Sequence, residues 1–386
     1  MQRASFRTRT RILTTLLGIS ALLFSALPSA AQSPSPSFDD LRQRAEQARA
    51  TNRSEEQVAL YHKAVTLQPS WGEGWWYLGT GLYGLHRYKE ALDAFQHLSL
   101  IDVNDGSSRA MMGLCEFHIQ RYPQALQLFF RAEQLGMGPN REMVMTVNYH
   151  IVILLNLTGQ FEWAHDRLAT FSWLGDVSDQ VVEAVGINAL RMPVLPANVP
   201  PGKLDLVMKV GRACWEPSLA GHPEQALKAL DDLVAANPRE PNLHYAYGVR
   251  LLDTDPEAAL REFQKELEIN PSQVVAHVQI VSLKLKQGDS EGAVPVAREA
   301  VKISPDYFLA HNALGRALLA DGKTAEAIQE LQKAVELEPN APENRFDLAE
   351  AYRAAGRKLD AEKETAEFVK IKKQRQSQGS MPSRDR

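Results

Sequence analysis

The chain has 386 residues, of which 44% are apolar and 23% are charged, and its net charge is −4. This balance lacks the strongly basic footprint of a nucleic-acid-binding protein, so it argues against a nucleic-acid partner. The apolar content is enough for an elongated core, and the chain is too long for a single small domain.

The N-terminus predicts a secretory signal peptide over residues 1–31. Four arginines precede an apolar run at 12–27, and the small residues Ser29 and Ala31 stand at the −3 and −1 positions of a cleavage site. A membrane anchor is the alternative, but this run is shorter than the about 20 residues that a spanning helix needs. We expect cleavage near Ala31, a Ser/Pro spacer over 32–37, and an exported mature protein, periplasmic or secreted, with no transmembrane span.

Residues 38–175 predict an N-terminal array of about four helix-turn-helix units. Three sets of positions repeat at a step of 34 in the numbering: Gln57, Ala91 and Ala125; Tyr61, Phe95 and Phe129; Gly79 and Gly113. The fourth unit is divergent, because Val152 stands where earlier units have a small residue.

The period fails over residues 176–205. A helix is predicted at 178–190, and the four prolines that follow it predict an extended connector, because proline interrupts a helix interior. Two interpretations are open, a hinge between two arrays or a strap packed across one of them. The apolar residues Met192, Val194, Leu195 and Val199 favour the strap.

Residues 206–372 predict a second array of about five units that ends in a capping helix. The step of 34 recurs in two series, Pro271, Pro305, Pro339 and Gly288, Gly322, Gly356. Each glycine stands where a first helix must end and the chain reverses, a place that favours positive φ. Gly315 and Ala327 are small where paired helices would cross. Residues 373–386 are predicted to be a disordered tail.

A fixed period of this length is typical of a helical solenoid. The repeated pattern consists of two sets of residues. In the C-terminal array they are Leu314, Gly315, Gly322, Ala327, Ala334 and Pro339, and in the N-terminal array they are Trp75, Leu78, Gly79, Ala91 and Phe95. This is the pattern from which the family is inferred. It resembles the tetratricopeptide repeat. This resemblance implies an all-α, right-handed superhelical solenoid of about nine helix pairs in two arrays, and an interaction scaffold.

No motif in the chain predicts chemistry. The string G-x-G-x-x-G at 79–84 falls inside a predicted first helix, whereas a dinucleotide site needs a strand before it. Cys115 and Cys214 are placed two repeats apart, too far for a disulfide bond. We therefore expect no catalytic residue, no cofactor and no metal site.

The resemblance also implies where a partner would bind, because in such proteins the first helices line a concave groove. The candidate partner-binding positions are Trp76, Tyr77, Thr80, Tyr83, Leu114, Phe117, Tyr149, Asn156, Trp215, Tyr245, Asn312 and Arg316. The first part of this groove is aromatic and weakly charged, which suits an apolar or aromatic-bearing peptide segment. The alternative is that these side chains pack against residues 191–205 or against neighbouring helices.

Two functional hypotheses follow. The first is an exported, non-catalytic scaffold that binds an unidentified protein or peptide segment in the cell envelope through this groove. The second is a carbohydrate- or substrate-binding envelope protein whose groove aromatics stack on its ligand.

Overall fold

The protein is described by a computed structural model over residues 36–172 and 176–379. Within these ranges the chain forms 19 α-helices and one short 3-10 helix, and no strand. The predicted signal peptide at 1–31 and most of the spacer at 32–37 lie outside the described residues. The architecture confirms the predicted all-α solenoid of paired helices.

The first eight helices form four consecutive pairs, in which each helix packs on the next. They are α1 (Phe38–Ala50), α2 (Ser54–Leu67), α3 (Gly72–Gly84), α4 (Tyr88–Ile101), α5 (Gly106–His118), α6 (Tyr122–Leu135), α7 (Arg141–Leu157) and α8 (Phe161–Ser172).

The segment between the two arrays holds one helix, which packs on the helix that follows it. This helix, α9 (Asp179–Ala189), agrees with the helix predicted at 178–190, and a 3-10 turn follows at Pro196–Asn198. The extended connector was predicted to reach residue 205, but α10 (Pro201–Ala220) already begins at Pro201. Proline is well placed there, because the first residues of a helix need no amide donor.

The remaining helices complete the second array. The long helix α10 packs on both α9 and α11, and four further pairs follow α11. Nine helices of the described chain come after α10. They are α11 (Pro223–Ala236), α12 (Leu243–Leu251), α13 (Pro256–Ile269), α14 (Val274–Lys286), α15 (Ser290–Ile303), α16 (Phe308–Ala320), α17 (Thr324–Leu337), α18 (Pro342–Ala354) and α19 (Lys358–Gly379). The tail predicted to be disordered from residue 373 is therefore helical as far as Gly379, because α19 simply continues.

Close packing within each pair explains the small residues of the repeat. A Cβ atom added to Gly113 on α5 would lie 2.6 Å from the ring of Phe129 on α6. At Gly315 on α16 it would lie 2.5 Å from Leu331 on α17, and Ala327 in the same interface is fully buried. Helices can approach this closely only where one of them lacks a side chain.

The turn inside most pairs uses a left-handed backbone residue, and among the described pairs the turn between α12 and α13 is an exception. Gly288, Gly322 and Gly356 have φ between 73° and 78°, as predicted from their position. In the N-terminal array the same place is taken by Asn52, His86 and Gln120, again one repeat apart, with φ between 55° and 64°. The left-handed turn residue therefore recurs in more pairs than the glycines of the sequence indicate.

One continuous apolar core runs from Leu41 on α1 to Leu243 on α12. The connector belongs to it, since Leu195 is buried and Met192, Val194 and Val199 pack against it half-buried. These contacts agree with a packed strap and not with a free hinge.

Candidate functional site

The twelve predicted groove residues all lie on first helices or on their equivalent in the long helix α10. α3 carries Trp76, Tyr77, Thr80 and Tyr83; α5 carries Leu114 and Phe117; α7 carries Tyr149 and Asn156; α10 carries Trp215; α12 carries Tyr245; α16 carries Asn312 and Arg316. First helices also contact one another directly, as α5 and α7 or α14 and α16 do. A side chain on these helices can contact a partner only where this stacking leaves it exposed.

On α3 the predicted positions divide into two groups. Trp76, Thr80 and Tyr83 lie on one half-exposed face, while Leu78 on the opposite side is buried. This division follows from a helix with 3.6 residues per turn. The helix thus presents an aromatic face that packs against the core on one side, as the Trp76 ring does at 5.7 Å from the ring of Phe95, and stays half-exposed on the other.

Tyr77 is the exception on this helix, because it packs backwards onto the preceding pair. Its ring lies 5.6 Å from that of Tyr61 on α2, and the guanidinium of Arg49 on α1 sits 4.2 Å above it. These are contacts within the solenoid, so Tyr77 contributes to packing between units and only secondarily to the surface.

A cluster of tyrosine and histidine rings surrounds Tyr83. The Tyr83 hydroxyl lies 2.9 Å from Nε2 of His118, and the Tyr88 ring stacks on the His118 ring at 4.1 Å. His86 Nδ1 lies 2.7 Å from the Tyr88 hydroxyl. Burial raises the pKa of Tyr83 to about 12 and lowers the pKa of His118, so both groups are neutral near pH 7.

The aromatic surface continues on the next two first helices. The Phe117 ring meets the edge of His150 at 4.7 Å, and Tyr149 lies beside the same histidine. Both Phe117 and Tyr149 are half-buried. Burial raises the pKa of Tyr149 to about 12. We refer to Trp76, Tyr83, Phe117 and Tyr149 as the aromatic row.

Comparison with known proteins bears on the repeats themselves. Models of the tetratricopeptide repeat match residues 220–274, 278–344 and 318–378. Residues 220–378 therefore carry tetratricopeptide (TPR) repeats. None of the curated proteins compared with the chain matches it.

Several solved structures are similar to part of this chain. A structure described as "MamA RS-1 ArsTM double mutant" is 23% identical, with a TM-score of 0.39, over 44% of this chain and 95% of that one. "MamA 41-end from Desulfovibrio magneticus RS-1" is 26% identical, with a TM-score of 0.37, over 44% and 96%. "YrrB: a TPR protein with an unusual peptide-binding site" is 17% identical, with a TM-score of 0.35, over 42% and 83%.

Four of the predicted groove residues are buried within the helix stack, which agrees with the alternative that they pack against neighbouring helices. They are Leu114, Asn156, Trp215 and Asn312, each with at most 7% of its surface exposed. The physical reason is that a neighbouring helix covers each position. Asn156 shows this most clearly, because its Oδ1 accepts a hydrogen bond from Nδ2 of Asn188 on α9 at 2.9 Å.

Trp215 and Tyr245 lie together at the junction of the two arrays, apart from the aromatic row. The indole Nε1 of Trp215 donates to the carbonyl oxygen of Asp176 at 2.7 Å. Both residues line a cavity shared with Arg191, Arg250 and other residues that the sequence did not indicate. No repeat pattern could have indicated them, because the period fails at this junction.

In the C-terminal TPR array the predicted pair Asn312 and Arg316 meets an acidic residue. Asn312 Nδ2 donates to Oδ2 of Asp347 on α18 at 2.8 Å. Burial raises the pKa of Asp347, although Asn312 and Arg316 both oppose this shift. Arg316 itself is exposed. This part of the groove is polar, in contrast to the aromatic row.

The described residues offer no candidate for metal or thiol chemistry. Over these ranges no three His, Cys, Asp or Glu side chains are grouped so that they could hold a metal ion. Cys115 and Cys214 are both buried and form no disulfide bond with each other, and burial raises the pKa of each thiol. Nor is any described helix both long and apolar enough to cross a membrane.

Proposed function

We propose that this TPR protein is an exported, non-catalytic scaffold that binds an extended segment of a protein partner in the cell envelope along the aromatic row. The observation that carries the proposal is the row itself, four half-exposed aromatic side chains on three successive first helices. Aromatic side chains of this kind dominate the energy of many protein interfaces.

The electrostatic character of the row defines the segment that fits it. The hydroxyls of Tyr83 and Tyr149 are neutral at physiological pH, as the ordinary tyrosine pKa of about 10 already requires, and burial raises the pKa of each further to about 12. His118 beside Tyr83 is neutral as well, since burial lowers its pKa. A neutral surface of rings with a few hydrogen-bonding groups suits an apolar or aromatic segment better than a highly charged one.

Export is supported by the N-terminal sequence alone. The arginines before the apolar run and the small residues Ser29 and Ala31 have the arrangement of a cleavable signal peptide. Expression of the full chain, followed by cell fractionation and N-terminal sequencing, tests this part. We expect a mature N-terminus at Gln32 in the exported fraction, and an uncleaved chain in the cytoplasm would contradict it.

Partner binding is tested by capture from envelope extract with the mature chain immobilised. The test variant combines Trp76→Ser, Tyr83→Ser and Phe117→Ser. The matched control combines Leu100→Ser and Val103→Ser, which remove exposed apolar side chains (79% and 59% exposed) from the end of α4 and the turn after it. We expect a protein that is retained by the native chain and the control and is lost by the test variant.

Other results would contradict the proposal in distinct ways. Equal retention by all three chains would place the partner site away from the aromatic row. If no protein is retained while a glycan panel binds and the test variant abolishes that binding, the row instead stacks on sugars. Circular dichroism of each variant establishes that the solenoid is still folded.

A further inference from the structure

A cavity of about 540 Å³ lies where the two TPR arrays meet. Its walls come from α8, α9, α10, α12 and α14, together with Arg191 of the connector. This volume falls within the about 300–1,000 Å³ typical of small-molecule sites. The cavity is distinct from the aromatic row, since none of the four row residues lines it.

Most of the cavity wall is apolar, and its largest aromatic side chain is held in place. Phe161, Trp215 and Tyr245 contribute rings, and Ala246 and Val249 contribute aliphatic surface. Trp215 is only 7% exposed, and its indole Nε1 is fixed by the hydrogen bond to the Asp176 carbonyl oxygen. Such a wall can enclose the apolar body of a ligand without first having to become ordered.

The two guanidinium groups in the wall differ in their partners. Arg191 donates to Oε1 of Glu162 at 2.8 Å, so these two charges neutralise each other. Arg250 donates to the backbone carbonyl oxygen of Cys214 at 3.0 Å, and none of the ion pairs among the described side chains involves it. A guanidinium has five N–H donors, so Arg250 retains donors for a further acceptor.

One further acidic residue, Asp166, lines the wall. Asp166 is exposed, so water screens its carboxylate, whereas Arg250 is half-buried, where a charge is screened less. The cavity therefore combines apolar walls with one guanidinium that forms no ion pair with the described side chains. We propose that it binds a small organic acid, whose carboxylate meets the guanidinium of Arg250 and whose apolar body lies between Phe161, Trp215 and Tyr245.

Calorimetric titration of the full mature chain tests this proposal with phenylacetate and indole-3-acetate as probes. The neutral amides of the same two acids are the comparison ligands, since they keep the shape and remove the charge. We expect saturable binding of at least one acid and binding of its amide that is weaker by about tenfold or more, because the bond to Arg250 is charge-assisted.

Two variants assign the binding to this cavity. Arg250→Gln removes the cation, and we expect it to weaken acid binding by about tenfold or more. Arg261→Gln removes an exposed arginine of α13 and should bind like the native chain. Val249→Phe fills the cavity and leaves Arg250 in place, so it should abolish binding of acid and amide alike.

The proposal is overturned by equal affinity for acid and amide, by native affinity in Arg250→Gln, or by no binding of either acid at about 10 mM. Thermal unfolding of each variant without ligand shows whether it is folded. Should Arg250→Gln fail to fold, Val249→Phe and the acid-against-amide comparison still decide the outcome. Because the aromatic row is not involved, failure here leaves the proposed scaffold function untouched.

Discussion

Gly79 on α3 lies directly against the ring of Phe95 on α4, where an added Cβ atom would come within 2.7 Å of two ring carbons. The same glycine-on-phenylalanine contact recurs one repeat later between Gly113 and Phe129. The contact limits how closely the two helices of a pair approach each other. It recurs because both of its residues belong to the repeated sequence pattern.

Gly79→Ala should destabilise the protein. Overpacking of a fixed aromatic ring costs about 1–3 kcal/mol, which exceeds the about 0.5–1 kcal/mol that alanine gains over glycine in a helix. The measurement is the free energy of unfolding in urea. Gly84→Ala on the same helix is the control, because its added Cβ meets no atom within 4 Å. A Gly79→Ala protein as stable as Gly84→Ala would show that the pair can separate without cost.

Gln120→Gly should stabilise the protein. Gln120 has φ of 64° in the turn between α5 and α6, where the matching residue of the C-terminal array is glycine. The left-handed conformation costs a residue with a side chain about 1–2 kcal/mol, and the greater entropy of glycine in the unfolded chain offsets part of this. We expect a net gain of about 0.5–1 kcal/mol in urea unfolding, with Gln120→Ala close to the native value.

The His244–Glu262 pair should make stability depend on pH. Nδ1 of His244 lies 2.6 Å from Oε2 of Glu262, and both side chains are buried. The hydrogen bond to Glu262 raises the pKa of His244 despite its burial. Burial favours a higher pKa for Glu262, but its hydrogen bonds to His244 and Lys265 outweigh this and lower it.

The direction in which stability changes with pH follows from these two pKa shifts. The contribution of His244 is fully present below its unfolded pKa of about 6.5 and is lost as pH rises through the raised value. That of Glu262 is lost as pH falls below about 4.5. We therefore expect the stability advantage of the native chain over His244→Gln to be largest near pH 5.5 and smaller by about 1 kcal/mol near pH 8.5.

A matched control exists for this pH dependence. His277 occupies the corresponding position of the next repeat, where Val296 replaces the glutamate. Its Nδ1 contacts only the carbonyl oxygen of Gln273 among the described hydrogen bonds. Urea unfolding of His277→Gln at both pH values should show a smaller change in the difference from native. Equal changes in the two variants would contradict the assigned role of Glu262.

Arg191 and Glu162 should be energetically coupled. Arg191 joins the connector to α8 through this ion pair, and its guanidinium also lies 4.7 Å from the ring of Phe161. The Arg191 side chain is 15% exposed and that of Glu162 is 39% exposed, so solvent weakens the pair only in part. We expect a coupling of about 1 kcal/mol from the cycle of Arg191→Gln, Glu162→Gln and the double variant.

The control cycle uses a pair of similar length at the surface. Arg298 and Glu326 lie 2.8 Å apart, and each side chain is 52% exposed. Exposed pairs contribute about 0–1 kcal/mol, so this coupling should be the smaller of the two. If the two couplings are equal, the connector is not fixed to α8 by its ion pair.

The sequence by itself determined the repeating part of the structure. The fixed step of the repeat, the glycine at the turn and the small residue at the helix crossing are local requirements, and each is visible wherever a unit recurs. Gly322 and Ala327 could therefore be given their roles before any tertiary structure was known, and the structure agrees with both.

Only the tertiary structure decided which predicted groove positions remain exposed. Trp76 and Asn156 occupy positions expected to face a partner, yet Trp76 is half-exposed and Asn156 is fully buried under α9. Burial depends on the helix stacked next to a position, and the repeat pattern does not describe α9 or the connector. For the same reason Arg250 and its cavity appear only when residues far apart in the chain are brought together at the junction.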